Sequence, residues 1–178
     1  MRLGVMCSGN GTNFQNIVTN PVCNTNEVVL MIHNTKQCGA IAIAAKYGVP
    51  HVRVPHKDEE KMIELFKTWR VDLIVLAGYM RVIQNPSAFP APIINIHPSL
   101  LPKYKGLHAI EQALDSGDEV TGVSVHYVNE ELDGGEIILQ QEVPILPDDD
   151  LDSLTKAIQR IEYAILPLAI EKVKYKLQ

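Results

Sequence analysis

The sequence predicts an α/β fold, Rossmann-like, with a mostly parallel sheet, helices on both faces and an antiparallel strand pair in the C-terminal third. Three observations carry that reading. Short apolar runs alternate with helix-length segments through the first two thirds of the chain, the rhythm of strands joined by right-handed crossovers. The first run stops abruptly at a glycine-rich turn, Ser8-Gly9-Asn10-Gly11-Thr12-Asn13. After Ser116 the rhythm changes to two strand-length runs separated by Gly134-Gly135.

Taken in order, Leu3–Cys7 is a buried strand, and a helix follows from Asn13 to about Thr19. Val28–Ile32 is a second strand. The Ala- and Ile-rich stretch Cys38–Tyr47 is helical, closed by Gly48 and then Pro50 in the usual stop order. A short strand at Val52–Val54 precedes a charged helix over Lys57–Trp69, and Leu73–Ala77 is the next strand. Ile93–Ile96 follows, with Asn95 and His97 where that run ends. A helix spans His108–Ser116. Val120–Val128 sets Val123, Val125 and Tyr127 against Ser124 and His126, and Glu136–Val143 pairs with it. The last helix covers Asp152–Lys174, with Pro167 expected to kink or split it. The 178 residues suit one domain, in two halves at 1–90 and 91–178.

A hydrophobic content of 46% with 21% charged residues is that of a globular protein with a continuous core, and no apolar stretch reaches membrane-spanning length. The amino terminus reads as a strand rather than a signal peptide. A formal charge of −5 argues against nucleic acid as the main partner, which calls for a basic face. Cys7, Cys23 and Cys38 form no Cys-x-x-Cys pair, so no metal centre is indicated, and they fit reduced thiols of a cytoplasmic protein. Cys7, just before the glycine turn, reads as a small buried hydrophobe rather than a nucleophile.

The glycine turn would hold an anion, most naturally a phosphate, on its amides and on the helix N-terminus behind it. It is not a dinucleotide fingerprint. Phe14 occupies the third glycine position, and the second strand ends in Ile32-His33-Asn34 without an acidic residue for a cofactor ribose. Asn95 and His97, two apart, share one side of a strand at its carboxyl end, where open α/β sheets hold their ligands. Thirty-six residues beyond His97, Asp133 stands in the turn Leu132-Asp133-Gly134-Gly135. Asn, His and Asp together make a set that can handle protons and stabilise an oxyanion. Singly, each also fits a cap or a satisfied buried side chain.

The run Asn95–His108, the segment Gly122–Val128, Leu132–Gly135, Ser8–Asn13 and Leu76–Arg81 together resemble the folate-dependent formyltransferase family, and within it the glycinamide ribonucleotide formyltransferases. The resemblance covers essentially the whole chain in order. It implies transfer of a formyl group from the co-substrate 10-formyltetrahydrofolate to the amine of 5-phosphoribosylglycinamide, a step of purine synthesis, with no metal. Gly106-Leu107-His108 resembles the ribonucleotide enzymes more than those acting on transfer RNA, and neither the additional C-terminal domain of the latter nor the regulatory domain of formyltetrahydrofolate hydrolases is expected. Another formyltransferase, a hydrolase or a non-catalytic phosphosugar-binding domain are the alternatives.

By the same resemblance, Asn95, His97 and Asp133 are catalytic. Asn95 and a protonated His97 would donate to the oxyanion, while Asp133 keeps His97 charged and helps move the amine proton. Gly11, Thr12 and Asn13 would hold the phosphate, and Gln159 and Glu162, three apart on the last helix, the ribose hydroxyls. Met80, Arg81, Val82 and Ile83, with Val128, Asn129, Glu130, Glu131, Leu132 and Asp133, would form the folate pocket. His108 and His126 line the site with no chemical step assigned. The partners implied are small molecules, not nucleic acid or membrane, and the protein a monomer or homodimer. The resemblance makes 1–90 the phosphate-binding half and 91–178 the catalytic and folate-binding half. Three features depart from the family pattern: Lys105 replaces a common proline, the stretch between Val54 and Leu73 is short, and the sequence stops at Gln178, earlier than in relatives with additional C-terminal strands.

Overall fold

The computed structural model describes all residues, Met1–Gln178. Seven strands form a mixed sheet, and the chain divides into two compact units, Met1–Asn95 and Ile96–Gln178.

The first unit contains β1 (Arg2–Cys7), α1 (Thr12–Thr19), β2 (Glu27–His33), α2 (Ala40–Tyr47), β3 (His51–Arg53), α3 (Glu59–Thr68) and β4 (Leu73–Leu76). It ends inside β5 (Ile93–His97). The strand order is β3-β2-β1-β4-β5, and every neighbouring pair is parallel. Leu3, Val5, Met6 and all of β4 are buried, as expected of parallel strands covered on both faces. Because β1 lies between β2 and β4, strand order reverses there. The loops leaving the carboxyl ends of β1 and β4 are therefore neighbours at a switch point, the usual ligand position in such sheets.

The second unit holds α4 (Ala109–Ser116), β6 (Val120–Tyr127), β7 (Ile137–Pro144) and α5 (Leu151–Leu177). β6 and β7 are antiparallel, with a register shift at Val125/His126. The alternation read along β6 does not separate a wet face from a dry one. Ser124 and His126 are as buried as Val123 and Val125. Their polar groups are satisfied internally: the Ser124 hydroxyl donates to the Ser99 carbonyl (2.7 Å) and accepts from Leu101 N (3.1 Å) and Gln140 Nε2 (2.8 Å).

Two expected boundaries move for local reasons. α3 begins at Glu59 rather than Lys57, because the Asp58 side chain caps it by accepting from Lys61 N. α5 is one continuous helix of 27 residues through Pro167, and so is not split. A capping box between Asp150 and Ser153 starts it. Pro167 is buried in the apolar run Ile165, Leu166, Ala169, Ile170 and Val173, and that packing outweighs the roughly 3 kcal/mol cost of an interior proline. The proline turns Pro21–Cys23 and Pro86–Ala88 were not anticipated.

Ser124 is fully buried and serves three partners at once, so Ser124→Ala removes the buried bonds to Ser99 O and Leu101 N along with that from Gln140. The expected loss is about 1–3 kcal/mol in urea denaturation. A loss near zero would mean that the loop at Ser99–Leu101 is held by something else.

Candidate active site

β5 ends in Asn95-Ile96-His97, all three within the strand rather than beyond it. Asn95 is half-buried and His97 is 5% exposed. Period-two alternation puts both on one side of β5. The His97 ring is held at both nitrogens: Nε2 lies 2.8 Å from the Tyr104 carbonyl and Nδ1 3.5 Å from Asp133 Oδ2. Both partners are pure acceptors, one facing each ring nitrogen.

Asp133 is the centre of the second unit's polar cluster. Its side chain is only 7% exposed, and its second oxygen, Oδ1, lies 3.5 Å from His126 Nε2. Gly106 N donates to Oδ2 at 2.7 Å. Burial alone would raise its carboxyl, but the His126 hydrogen bond, the Gly106 amide and the charges of His97 and His126 reverse that and bring it down to about 2. His126 in turn has Nδ1 2.8 Å from the Tyr127 carbonyl. Sequence reasoning placed His126 at the site without a task. The structure gives it one, as the second imidazole on Asp133. Its spacing from Ser124, two apart in a strand of valines, was the available signal.

The turn carrying Asp133 is shaped by its neighbours. Asn129 Oδ1 accepts from Glu131 N (3.0 Å), an Asx turn, and Gly134 N donates to the Glu131 carbonyl (3.0 Å). Asp133 itself has a left-handed backbone, φ 49°. Gly135 is required by close approach, since a Cβ there would collide with the Tyr127 carbonyl. Val128 is half-buried, while Asn129, Glu130, Glu131 and Leu132 are exposed. Lys105 makes an ion pair with Glu131 at 2.7 Å. Gln159 and Glu162 are half-buried positions three apart on α5.

In the first unit, α1 begins at Thr12 with Gly11 as its cap in the left-handed region, φ 76°. The first helical bond runs from Gln15 N to Gly11 O, so the amides of Thr12, Asn13 and Phe14 lie outside the ladder, at the positive end of the helix. The loop after β4 exposes Met80 (61%) and Val82 (54%) while Ile83 is buried (5%). Beside it is a cleft of about 620 Å³, lined among others by Pro55, Lys57, Glu59, Val82 and Gln84, which sequence reasoning did not anticipate. The segment Pro55–Glu60 forms one wall. Cys7, Cys23 and Cys38 are free and buried, and burial, with Cys38 nearby, pushes the Cys7 thiol far up, away from nucleophilic use. No group of three or more His, Cys, Asp or Glu side chains is placed to hold a metal ion, and no helix is long and apolar enough to cross a membrane.

The sequence profile of the formyl transferase family matches residues 1–170. The chain belongs to that family. Phosphoribosylglycinamide formyltransferase of Escherichia coli strain K12 is 38% identical over 183 residues, covering 96% of this chain and 85% of that protein. The trifunctional purine biosynthetic protein adenosine-3 of Drosophila melanogaster is 41% identical over 182 residues, and the chain spans only 14% of its length. Among solved structures, phosphoribosylglycinamide formyltransferase from Bacillus halodurans superposes with a TM-score of 0.92 at 35% identity, covering 100% of this chain and 97% of that one. Membership of the formyl transferases implies a folate-type one-carbon donor.

Two outcomes follow from this geometry. The Asp133 carboxyl sits below its ordinary value of 3.8, so the charged form favours the folded state. That stabilisation is complete above about pH 4 and is lost as pH falls to about 2. The stability advantage of the wild type over Asp133→Asn, measured by denaturant titration, should shrink across that window; a constant difference would contradict the depressed value. For the glycine turn, a Cβ at Gly11 meets Ala40 Cβ at 2.7 Å on a left-handed backbone, whereas nothing lies within 4 Å of one at Gly9. Gly11→Ala should therefore lose more than about 1 kcal/mol of stability, and Gly9→Ala almost none. Gly9→Ala is thus the clean probe of ligand approach to this backbone, and a raised KM for a phosphorylated substrate in that variant is expected.

Proposed function

We propose that this chain transfers the formyl group of 10-formyltetrahydrofolate to the primary amine of 5-phosphoribosylglycinamide, in the purine route. The observation that carries the reading is the Asp133 carboxylate, buried, kept ionised and shared between His97 and His126 at 3.5 Å each. A buried charge of this kind is costly to desolvate, and proton transfer gives it a use beyond holding the loops around it.

The folate supplies the formyl carbon, and the amine nitrogen forms its bond to that carbon as the bond to the folate nitrogen breaks. The Asn95 amide donates to the formyl oxygen as it gains negative charge. His97 donates there too, which requires its Nε2 to leave the Tyr104 carbonyl. Asp133 holds His97 in its charged form and accepts the amine proton, directly or through water, for return to the folate nitrogen. The amides at Gly11, Thr12 and Asn13 take the substrate phosphate, and Gln159 with Glu162 takes the ribose hydroxyls. The backbone of Met80–Ile83 and of Val128–Asp133 reads the pterin: exposed Met80, Val82 and Leu132 give apolar surface beside backbone polar groups, which fits a flat heteroaromatic. The substrates are small molecules, the compartment the cytoplasm, and the protein one catalytic domain acting as monomer or homodimer.

Purified protein should release tetrahydrofolate, followed spectroscopically, only when the nucleotide is present. Release without it would indicate a hydrolase, and no release would favour a binding module. Asp133→Asn should be the most damaging conservative change at the site, removing both the charge on His97 and the proton acceptor. His97→Asn and Asn95→Ala should each lose about 10²–10³-fold in kcat, with little change in substrate binding. Turnover near wild type in folded Asp133→Asn would remove this mechanism.

A further inference from the structure

Ser8 ends the strand before the phosphate loop, yet all four of its polar connections reach other loops. Its amide donates to the Gly78 carbonyl (3.0 Å), and its carbonyl accepts from Thr35 Oγ1 (3.0 Å). Its hydroxyl donates to Asn34 Oδ1 (2.7 Å) and accepts from Met80 N (2.9 Å). The single hydroxyl proton is thus committed to Asn34, which turns a lone pair towards the Met80 amide. The next residue is equally tied, since the Gly9 carbonyl accepts from Ala40 N (3.3 Å) and Cys38 Sγ (3.2 Å). The loop after β4 is fastened at its far end by Glu59, whose two carboxylate oxygens accept from Gln84 N (2.6 Å) and Asn85 N (3.1 Å). Only the near fastening is shared with the phosphate loop.

We propose that Ser8 is a positioning residue that joins the loop at Met80–Ile83 to the phosphate loop, so that occupation of one raises the affinity of the other. The proposal rests on the reading of these loops as folate and phosphate sites. Half-buried Ser8 has its amide, carbonyl and hydroxyl engaged by these loops, and it acts by fixing the Met80 amide relative to Gly9–Asn13. Coupling of this kind is reciprocal, so the nucleotide should tighten folate by the factor by which folate tightens the nucleotide.

The test uses the full chain with Ser8→Ala, which removes the hydroxyl, and Ser8→Thr, which keeps it. Hydrogen exchange should speed up at the Met80 amide in Ser8→Ala while Gln84 and Asn85, held by Glu59, stay unchanged. In steady-state kinetics Ser8→Ala should raise the folate KM about three- to tenfold, the range for one net hydrogen bond, with kcat within about twofold. The ratio of folate KM at low to saturating nucleotide should exceed one in the wild type, fall to one in Ser8→Ala and return in Ser8→Thr. A wild-type ratio of one, unchanged Met80 exchange in Ser8→Ala, or a fall in kcat at constant KM would each overturn the proposal. An active wild type with an unaltered Ser8→Ala sinks this inference alone. A wild type that transfers no formyl group sinks the functional reading itself, leaving the exchange measurement to decide the Ser8 link.

Discussion

A carboxylate shared by two buried imidazoles governs the arrangement of the second unit. Taking Asp133 out of water is unfavourable, and the attraction of a single partner seldom compensates for it. Here three donors converge on two oxygens: Gly106 N and His97 on one, His126 on the other. Each donor comes from a different segment, so satisfying the charge fixes the end of β5, the end of β6 and the loop at Gly106 against one point. The left-handed backbone at Asp133 and the glycine packed on the Tyr127 carbonyl are the local consequences of aiming that carboxylate inward.

Strand ends are where the hydrogen-bond ladder stops, and their backbone groups still need partners. In both units serine hydroxyls meet that need. Ser8 connects three loops at the carboxyl end of β1, and Ser124 ties Ser99 and Leu101 to β6. A hydroxyl donates once and accepts twice, so one small side chain can join segments distant in sequence without taking volume from the core. The Asp118 carboxylate adds a charged version, receiving Tyr104 Oη (2.6 Å) and Lys103 Nζ (2.8 Å) from the loop after β5. These fastenings hold the loops that carry the candidate site.

The alternating strands and helices were legible because buried parallel strands such as Leu73–Leu76 are unbroken apolar runs, and because Gly48 and Pro50 stop α2 where expected. Asn95 and His97 were legible as polar residues ending an apolar strand, and Asp133 as a carboxylate at a glycine turn. Less visible was anything dependent on distant partners. The burial of both faces of β6 from Thr121 to His126 could not be inferred from an alternation that normally marks a half-wet strand. The continuity of α5 through Pro167 depends on what packs against it, and local propensity has no access to that. The dependence of His97 on the Tyr104 carbonyl is a loop contact with no periodic signature.

Ser124 and His126 show why the polar positions of β6 read ambiguously. They stand two apart in β6, one on each side of the register shift at Val125/His126. One holds the loop that follows His97, and the other holds the carboxylate that faces His97. A pattern that usually reports solvent thus reports two internal connections to the same histidine. The rule that polar side chains face water fails here because each has a better partner than water within reach. A buried polar pair at period two in a β-rich apolar run is then a sign of a site nearby, and His126 belongs to the candidate active site on that ground as much as His97 does.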